Sequence, residues 1–107
     1  MPIIKIEFDN NKVSKNDIEK LSFGVQKIVS EVTGIEDVFV YGNSSEIQVK
    51  IAPIEIFIEM SAHKIVNQDE LILNIKNRII YWKQQNNFSQ LINLTLIPMS
   101  WKIEIGI

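Results

Sequence analysis

The chain has 107 residues, of which 46% are hydrophobic and 22% are charged, and its formal net charge is −2. These values are typical of one ordinary globular domain, here spanning residues 1–107. The lack of cysteine excludes disulfides and thiolate chemistry, and the single histidine, His63, argues against a histidine-rich metal site or a serine–histidine triad.

The distribution of charged and apolar residues argues against a nucleic-acid or membrane partner. Ten lysines and one arginine are spread along the chain without a basic block. No apolar run approaches the roughly 20 residues of a membrane helix, and no signal peptide is visible. We therefore expect a cytoplasmic protein that binds neither nucleic acid nor membrane.

In the first half, the pattern predicts a strand, a long helix and two further strands. Residues Pro2–Phe8 alternate as a strand, and an apolar stripe predicts a helix over Lys15–Thr33, with Ser14 as its N-cap and Gly34 at its C′ position. Gly24 lies mid-helix, where a neighbouring backbone approaching closely is one reason for a glycine. After the helix come a strand, a turn and a short strand, predicted over Val38–Tyr41, Gly42–Ser45 and Glu46–Ile51.

The second half repeats this order. A strand is predicted from Ile54 to Glu59, followed by a connecting loop over Ser61–Val66. A second helix begins at Asn67 and continues to about Gln85. Leu91–Pro98 is the next predicted strand, and Trp101–Ile107 alternates again as a short final one.

The repeated order indicates an internal duplication. Pro2-Ile3-Ile4-Lys5-Ile6-Glu7 and Pro53-Ile54-Glu55-Ile56-Phe57-Ile58-Glu59 open pseudo-repeats at about 2–51 and 53–107. Each repeat reads as a βαβ unit, and right-handed crossovers place both helices on one face of the sheet. The predicted fold class is therefore α/β (α+β): a four-stranded mixed sheet with two helices on one face, plus short extra strands.

The other face of this sheet predicts self-association. In a two-layer sandwich it should be mostly polar, yet it mixes charged with large apolar residues: Ile3, Lys5, Glu7, Glu55, Phe57 and Glu59. The alternating C-terminal segment Trp101–Ile107 also follows after the four strands of the predicted sheet, and it has no assigned partner there. We therefore expect a homo-oligomer in which sheets from several copies pack around an axis.

These features together resemble the tautomerase superfamily, which includes macrophage migration inhibitory factor. Pro2-Ile3-Ile4-Lys5-Ile6 looks like the family's amino-terminal strand, and Ser61-Ala62-His63-Lys64 is similar to its pocket-bordering loop. The tail from Leu91-Ile92-Asn93-Leu94 through Ile97-Pro98 is most similar to an uncharacterised bacterial branch of small proteins with this fold.

The resemblance implies a homotrimer with pockets at subunit boundaries and a cofactor-independent keto–enol isomerisation. Pro2 would be the general base for a small carbonyl or enol acid, with Ile3, Phe39 and Phe57 available as apolar walls. Lys12 matches the position of the family's substrate-carboxylate arginine, and Ser61 and His63 would border the substrate. Two of these residues have a simpler interpretation: Lys12 as a solvated turn lysine, and His63 as a solvated loop histidine.

Two other positions depart from the family pattern. Phe39 replaces a second arginine, and Ile35 replaces a lysine found in members similar to the inhibitory factor. Both changes weaken the case for a dicarboxylate substrate. The Pro2 nitrogen is also a base only after Met1 has been removed, because until then it is an amide.

Two alternatives stay open at this stage. The first is a non-catalytic trimeric module of the same fold that binds a small ligand or a partner protein. The second is a ferredoxin-like βαββαβ binding domain, which shares the element order but pairs its strands antiparallel. Arg78 is interpreted as a surface or subunit-contact residue, and Tyr41 and Trp101 as packing residues, within the chain or across an interface.

Overall fold

Two isoleucine-rich strands form the centre of the molecule in the computed structural model, which describes all 107 residues. Strands β1 (Ile3–Phe8) and β3 (Ile54–Ser61) run antiparallel, with Ile6 opposite Ile56. Alternate side chains of both strands are completely buried, because successive strand residues point to opposite faces of the sheet. These side chains form the part of the hydrophobic core that the sheet contributes.

Each central strand is flanked by the second strand of its own half. Strand β2 (Phe39–Asn43) pairs parallel with β1, and β4 (Asn93–Met99) pairs parallel with β3, giving the order β2-β1-β3-β4. This arrangement confirms the predicted mixed sheet of two βαβ repeats. The antiparallel ferredoxin-like alternative is wrong, since the pairs within each half are parallel.

Both helices cover the same face of the sheet, and both follow their predicted bounds. Helix α1 (Lys15–Thr33) begins where Ser14 Oγ accepts a hydrogen bond from the Asp17 N–H at 3.1 Å, and it ends at Gly34 in the left-handed conformation. Helix α2 (Gln68–Gln85) begins with the same device, supplied by Asn67. No helix has the length and apolar character needed to cross a membrane.

The two helices contact each other at Gly24, but the group that approaches this glycine differs from the predicted one. The indole ring of Trp82 lies against Gly24, and a Cβ at position 24 would be 2.7 Å from Cε2 of that ring. The close neighbour is thus a side chain of α2 and not a backbone. An exposed ion pair between Arg78 and Glu31, with 2.9 Å between Nη1 and Oε2, also joins the two helices.

The two short extra strands do not form within the isolated chain. Glu46–Ile51 contains bends and no strand pairing, and Trp101–Ile107 has no regular structure. The side chains of Ile47 and Val49 are 86% and 97% exposed, so the alternating pattern has no core to face. The predicted turn over Gly42–Ser45 also starts later, because β2 extends through Asn43.

Candidate active site at the start of the first strand

Pro2 lies at the entrance to the central strand β1. Its carbonyl oxygen accepts a hydrogen bond from the Phe39 N–H at 3.1 Å, which joins the start of β1 to the start of β2. The pyrrolidine ring is completely buried. Proline is compatible with this position because it has no N–H to leave unpaired at the first residue of a strand. The sheet therefore holds the ring at a fixed and largely dry position.

Two of the other predicted site residues lie at this same end of the sheet. Because Ile3 pairs with Glu59, the last residue of β3, Ser61, reaches the edge where β1 begins. The short 3₁₀ helix Ala62–Lys64 follows directly and carries His63, whose side chain is exposed. The predicted loop over Ser61–Val66 thus contains a helical turn, and the strand register places Ser61 at the end of the sheet where Pro2 lies.

The three predicted apolar wall residues share the sheet face that the helices leave uncovered, which we call the open face. Ile3 pairs with Phe39, and Lys5 pairs with Phe57, so all these side chains point away from the helices. Lys5 forms an ion pair with Glu59, with 3.1 Å between Nζ and Oε1. The cation closest to Pro2 along β1 is therefore already paired with a carboxylate.

Sequence comparison finds nothing similar to this chain: no protein-family model matches it, and no curated protein does. Comparison of structures does find similar proteins. A macrophage migration inhibitory factor-like protein from Entamoeba histolytica is 18% identical, with a TM-score of 0.61 over 96% of this chain and 93% of that one. A 5-carboxymethyl-2-hydroxymuconate delta-isomerase is 13% identical, with a TM-score of 0.64 over 99% and 89% of the two chains.

The chain has the fold of the tautomerase superfamily. A domain of unknown function from Sebaldella termitidis is similar as well, with 11% identity and a TM-score of 0.66 over 100% of this chain and 98% of that one. The resemblance noted from the sequence is thereby confirmed at the level of the fold. These neighbours cover the whole chain, so both βαβ halves belong to the tautomerase fold.

Lys12 lies at the opposite end of β1 from Pro2 in this tautomerase fold. It occupies the turn after the strand, where its N–H donates to the Asp9 carbonyl at 3.0 Å and its own carbonyl accepts from Gln90. The intervening strand is about 20 Å long at roughly 3.3 Å per residue. The structure therefore does not bring Lys12 and Pro2 together within one chain.

The main cavities of the chain also lie away from Pro2. None of the five is lined by Pro2, Lys12, Ser61 or His63. The largest is a groove between α1 and α2, and another lies on the open face beside Glu7 and Phe57. The main cavities of the single chain therefore do not include a pocket around Pro2.

Sequence reasoning missed the ion pair that links Lys5 to Glu59. The sequence pattern predicts the correct sheet face for both residues, but their pairing depends on the register between β1 and β3. That register is set by long-range strand pairing across about fifty residues, and no local motif encodes it. The alternation of charge on the two strands was the available signal.

Proposed function

We propose that this protein is a cofactor-independent tautomerase-like enzyme that uses the amine of Pro2 as a general base on a small carbonyl or enol acid. The observation that carries the proposal is the position of Pro2. It directly precedes the central strand β1 of the tautomerase fold, its ring is completely buried, and its own carbonyl accepts a hydrogen bond from the Phe39 N–H.

The chemistry requires that Met1 be removed, which turns the Pro2 nitrogen into a secondary amine. A free α-amine titrates at about pH 8 in water. Burial among apolar groups lowers the pKa of an amine, because the charged form loses its hydration. An unprotonated Pro2 could then take a proton from the enol oxygen and return one to the neighbouring carbon, so that the keto form results.

We further propose that the active form is a homotrimer whose sites lie at subunit boundaries. The open face exposes apolar groups that a monomer has no reason to present to water, among them Phe39 and Tyr41, which are 43% and 55% exposed. The segments Glu46–Ile51 and Trp101–Ile107 alternate without a partner strand, and the outer edges of β2 and β4 are unpaired. Strand addition between copies would use both features.

Such an assembly would also account for the position of Lys12. Because a single chain holds Lys12 about one strand length from Pro2, this lysine could approach the amine only as a residue of a neighbouring copy. Ser61 and His63 would then border the site from the same chain as Pro2. Lys12 would supply the positive charge for a substrate carboxylate, in the monodentate manner of an ammonium group.

The first test compares two prolines that open equivalent strands. Pro2→Ala should lower the rate of phenylpyruvate or 2-hydroxymuconate tautomerisation by about 100-fold or more, the usual contribution of a general base. Pro53→Ala should leave the rate unchanged, because the nitrogen of Pro53 is always an amide. The wild-type rate should rise with pH until the Pro2 amine is fully deprotonated.

Mass spectrometry of the protein purified from its own cells should show that Met1 has been lost. Complete retention of Met1, or full activity in Pro2→Ala, would rule out the proposed catalysis. Sedimentation should give the mass of three chains, and a monomer at working concentration would rule out the shared site. Circular dichroism of both variants separates lost chemistry from lost structure.

A second candidate is a non-catalytic trimeric module that binds a small ligand or a protein. It is favoured by one observation, namely that Glu59 already neutralises Lys5, the cation nearest to Pro2 on its strand. In that case the protein should form trimers and lack activity towards enols even after Met1 has been removed.

A further inference from the structure

The largest cavity of the molecule is a groove between the two helices, on the side away from the sheet. Its volume is about 870 Å³, and one part of its lining is aromatic: Phe23 of α1, and Tyr81 and Trp82 of α2. The side chains of Phe23 and Tyr81 are 70% and 63% exposed. Aromatic groups this exposed on one contiguous surface commonly mark a binding site.

The position of the Trp82 ring within this groove is fixed. One side of the indole packs against Gly24, where no Cβ keeps it at a distance, and Phe88 packs against it with 5.4 Å between ring centroids. The ring therefore forms a wall that exists before any ligand arrives. A wall of this kind favours binding, because little conformational entropy is lost when the ligand is held.

The charged residues that line the groove are predominantly basic. Arg78 is paired with Glu31, whereas Lys20 and Lys27 form no ion pair. These two lysines flank Phe23 on α1, at three residues before it and four after it, so all three lie on one side of the helix. The groove thus has a positive rim on a chain whose net charge is −2.

We propose that this groove binds a planar aromatic anion, with the flat ring system against Trp82 and Phe23 and the acid group beside Lys20 or Lys27. Its volume lies in the range of small-molecule sites, which is about 300–1,000 Å³, and such sites often lie between helices. None of the lining residues belongs to the site around Pro2, so the inference does not depend on the proposed catalysis.

The charge also disfavours a second copy of this chain as the occupant. A symmetric pair of copies places the same patch of each chain against the other. Each copy would then bring its own unpaired Lys20 and Lys27 into the interface, where like charges repel. A small anion satisfies those cations and covers the aromatic groups at the same time.

The test uses 8-anilinonaphthalene-1-sulfonate as the anion and N-phenyl-1-naphthylamine as its uncharged counterpart. The protein carries Trp101→Phe, so that Trp82 is its only tryptophan. The sulfonate should quench Trp82 fluorescence saturably, with one site per chain, and it should bind more tightly than the amine. The double variant Lys20→Gln/Lys27→Gln should weaken sulfonate binding about three- to tenfold and leave amine binding unchanged.

The matched control is Lys15→Gln/Lys76→Gln, which removes the same charge from helix positions outside the groove. It should not change the affinity for the sulfonate. Equal weakening in both double variants, equal affinity for the two probes, or no quenching of Trp82 would overturn the proposal. Quenching by a polyglutamate peptide without quenching by the sulfonate would also overturn it, and would assign the groove to an acidic protein partner.

Discussion

The two βαβ halves each contribute two strands to the sheet, but their helices bury different numbers of side chains against it. The helix-facing isoleucines of β1 and β3 are all fully buried, among them Ile6 and Ile56. Helix α1 buries five side chains, whereas α2 buries only two, Ile75 and Ile79. Helix α2 instead leaves Leu73, Ile80 and Tyr81 exposed. The central strands of the two halves are thus buried alike, while the second helix leaves more apolar side chains exposed than the first.

The halves also differ at the prolines that open them. Pro53 and Pro2 precede strands that pair with each other, and the carbonyls of both accept a hydrogen bond from the backbone of the first half. The nitrogen of Pro53 lies inside the chain and stays an amide, while the nitrogen of Pro2 is one cleavage from being an amine. Under the proposed function, the two equivalent positions therefore differ, since only Pro2 can become a basic amine.

The largest effect on stability is expected where the halves are equivalent. Ile6→Ala and Ile56→Ala should each lower the free energy of unfolding by about 2–5 kcal/mol, because each removes fully buried methylene groups and leaves a cavity. Urea unfolding at one fixed protein concentration measures both losses and keeps any association constant. Ile47→Ala, at a side chain that is 86% exposed, is the control and should change stability by less than about 0.5 kcal/mol.

The equivalence of the two halves is contradicted if only one of these two substitutions lowers the free energy of unfolding. A small loss for Ile56→Ala beside a large loss for Ile6→Ala would show that the second half contributes less to the core than its burial indicates.

The elements predicted correctly from the sequence are those whose signal is local. The helix caps at Ser14 and Asn67 depend on residues within three positions, and the alternation of β1 needs only its own side chains. The segment Glu46–Ile51 alternates just as clearly, yet β2 and β4 already occupy the free edges of the central strands. A strand needs a hydrogen-bonding partner, and the sequence of one chain does not say whether another copy supplies it.

The same distinction between local and long-range signals applies to the residues of the candidate site. The position of Pro2 just before β1 could be predicted from the sequence because the alternation of that strand is a local signal, while the role of Pro2 as a base stays a prediction. The separation of Lys12 from Pro2 could not be predicted, because a family match gives a position in the sequence and not the chain to which the residue belongs. Charge neutralisation of Lys5 by Glu59 also depended on a register that only the folded sheet defines.

The junction between the unequal helices provides the next prediction. Gly24→Ala should gain up to about 1 kcal/mol from helix propensity, but the new methyl group would overlap the Trp82 ring. Displacing a packed ring typically costs about 1–3 kcal/mol, so we expect a net loss of stability. In a Trp82→Ala background the same substitution should be stabilising, and a double-mutant cycle in urea measures this change of sign. A stabilising Gly24→Ala in the wild-type chain would mean that the ring does not rest on the glycine.

The smallest effects are expected at the helix caps, where the two halves should again be equal. Ser14 Oγ and Asn67 Oδ1 each accept one hydrogen bond from a backbone N–H three residues later, at 3.1 and 3.0 Å. Ser14→Ala and Asn67→Ala should therefore each cost about 1 kcal/mol in thermal or urea unfolding. Ser45→Ala, at an exposed serine outside the helices, should cost nothing measurable. Because α2 buries fewer side chains, a larger loss for Asn67→Ala than for Ser14→Ala would show that the second helix depends more on its cap than on packing.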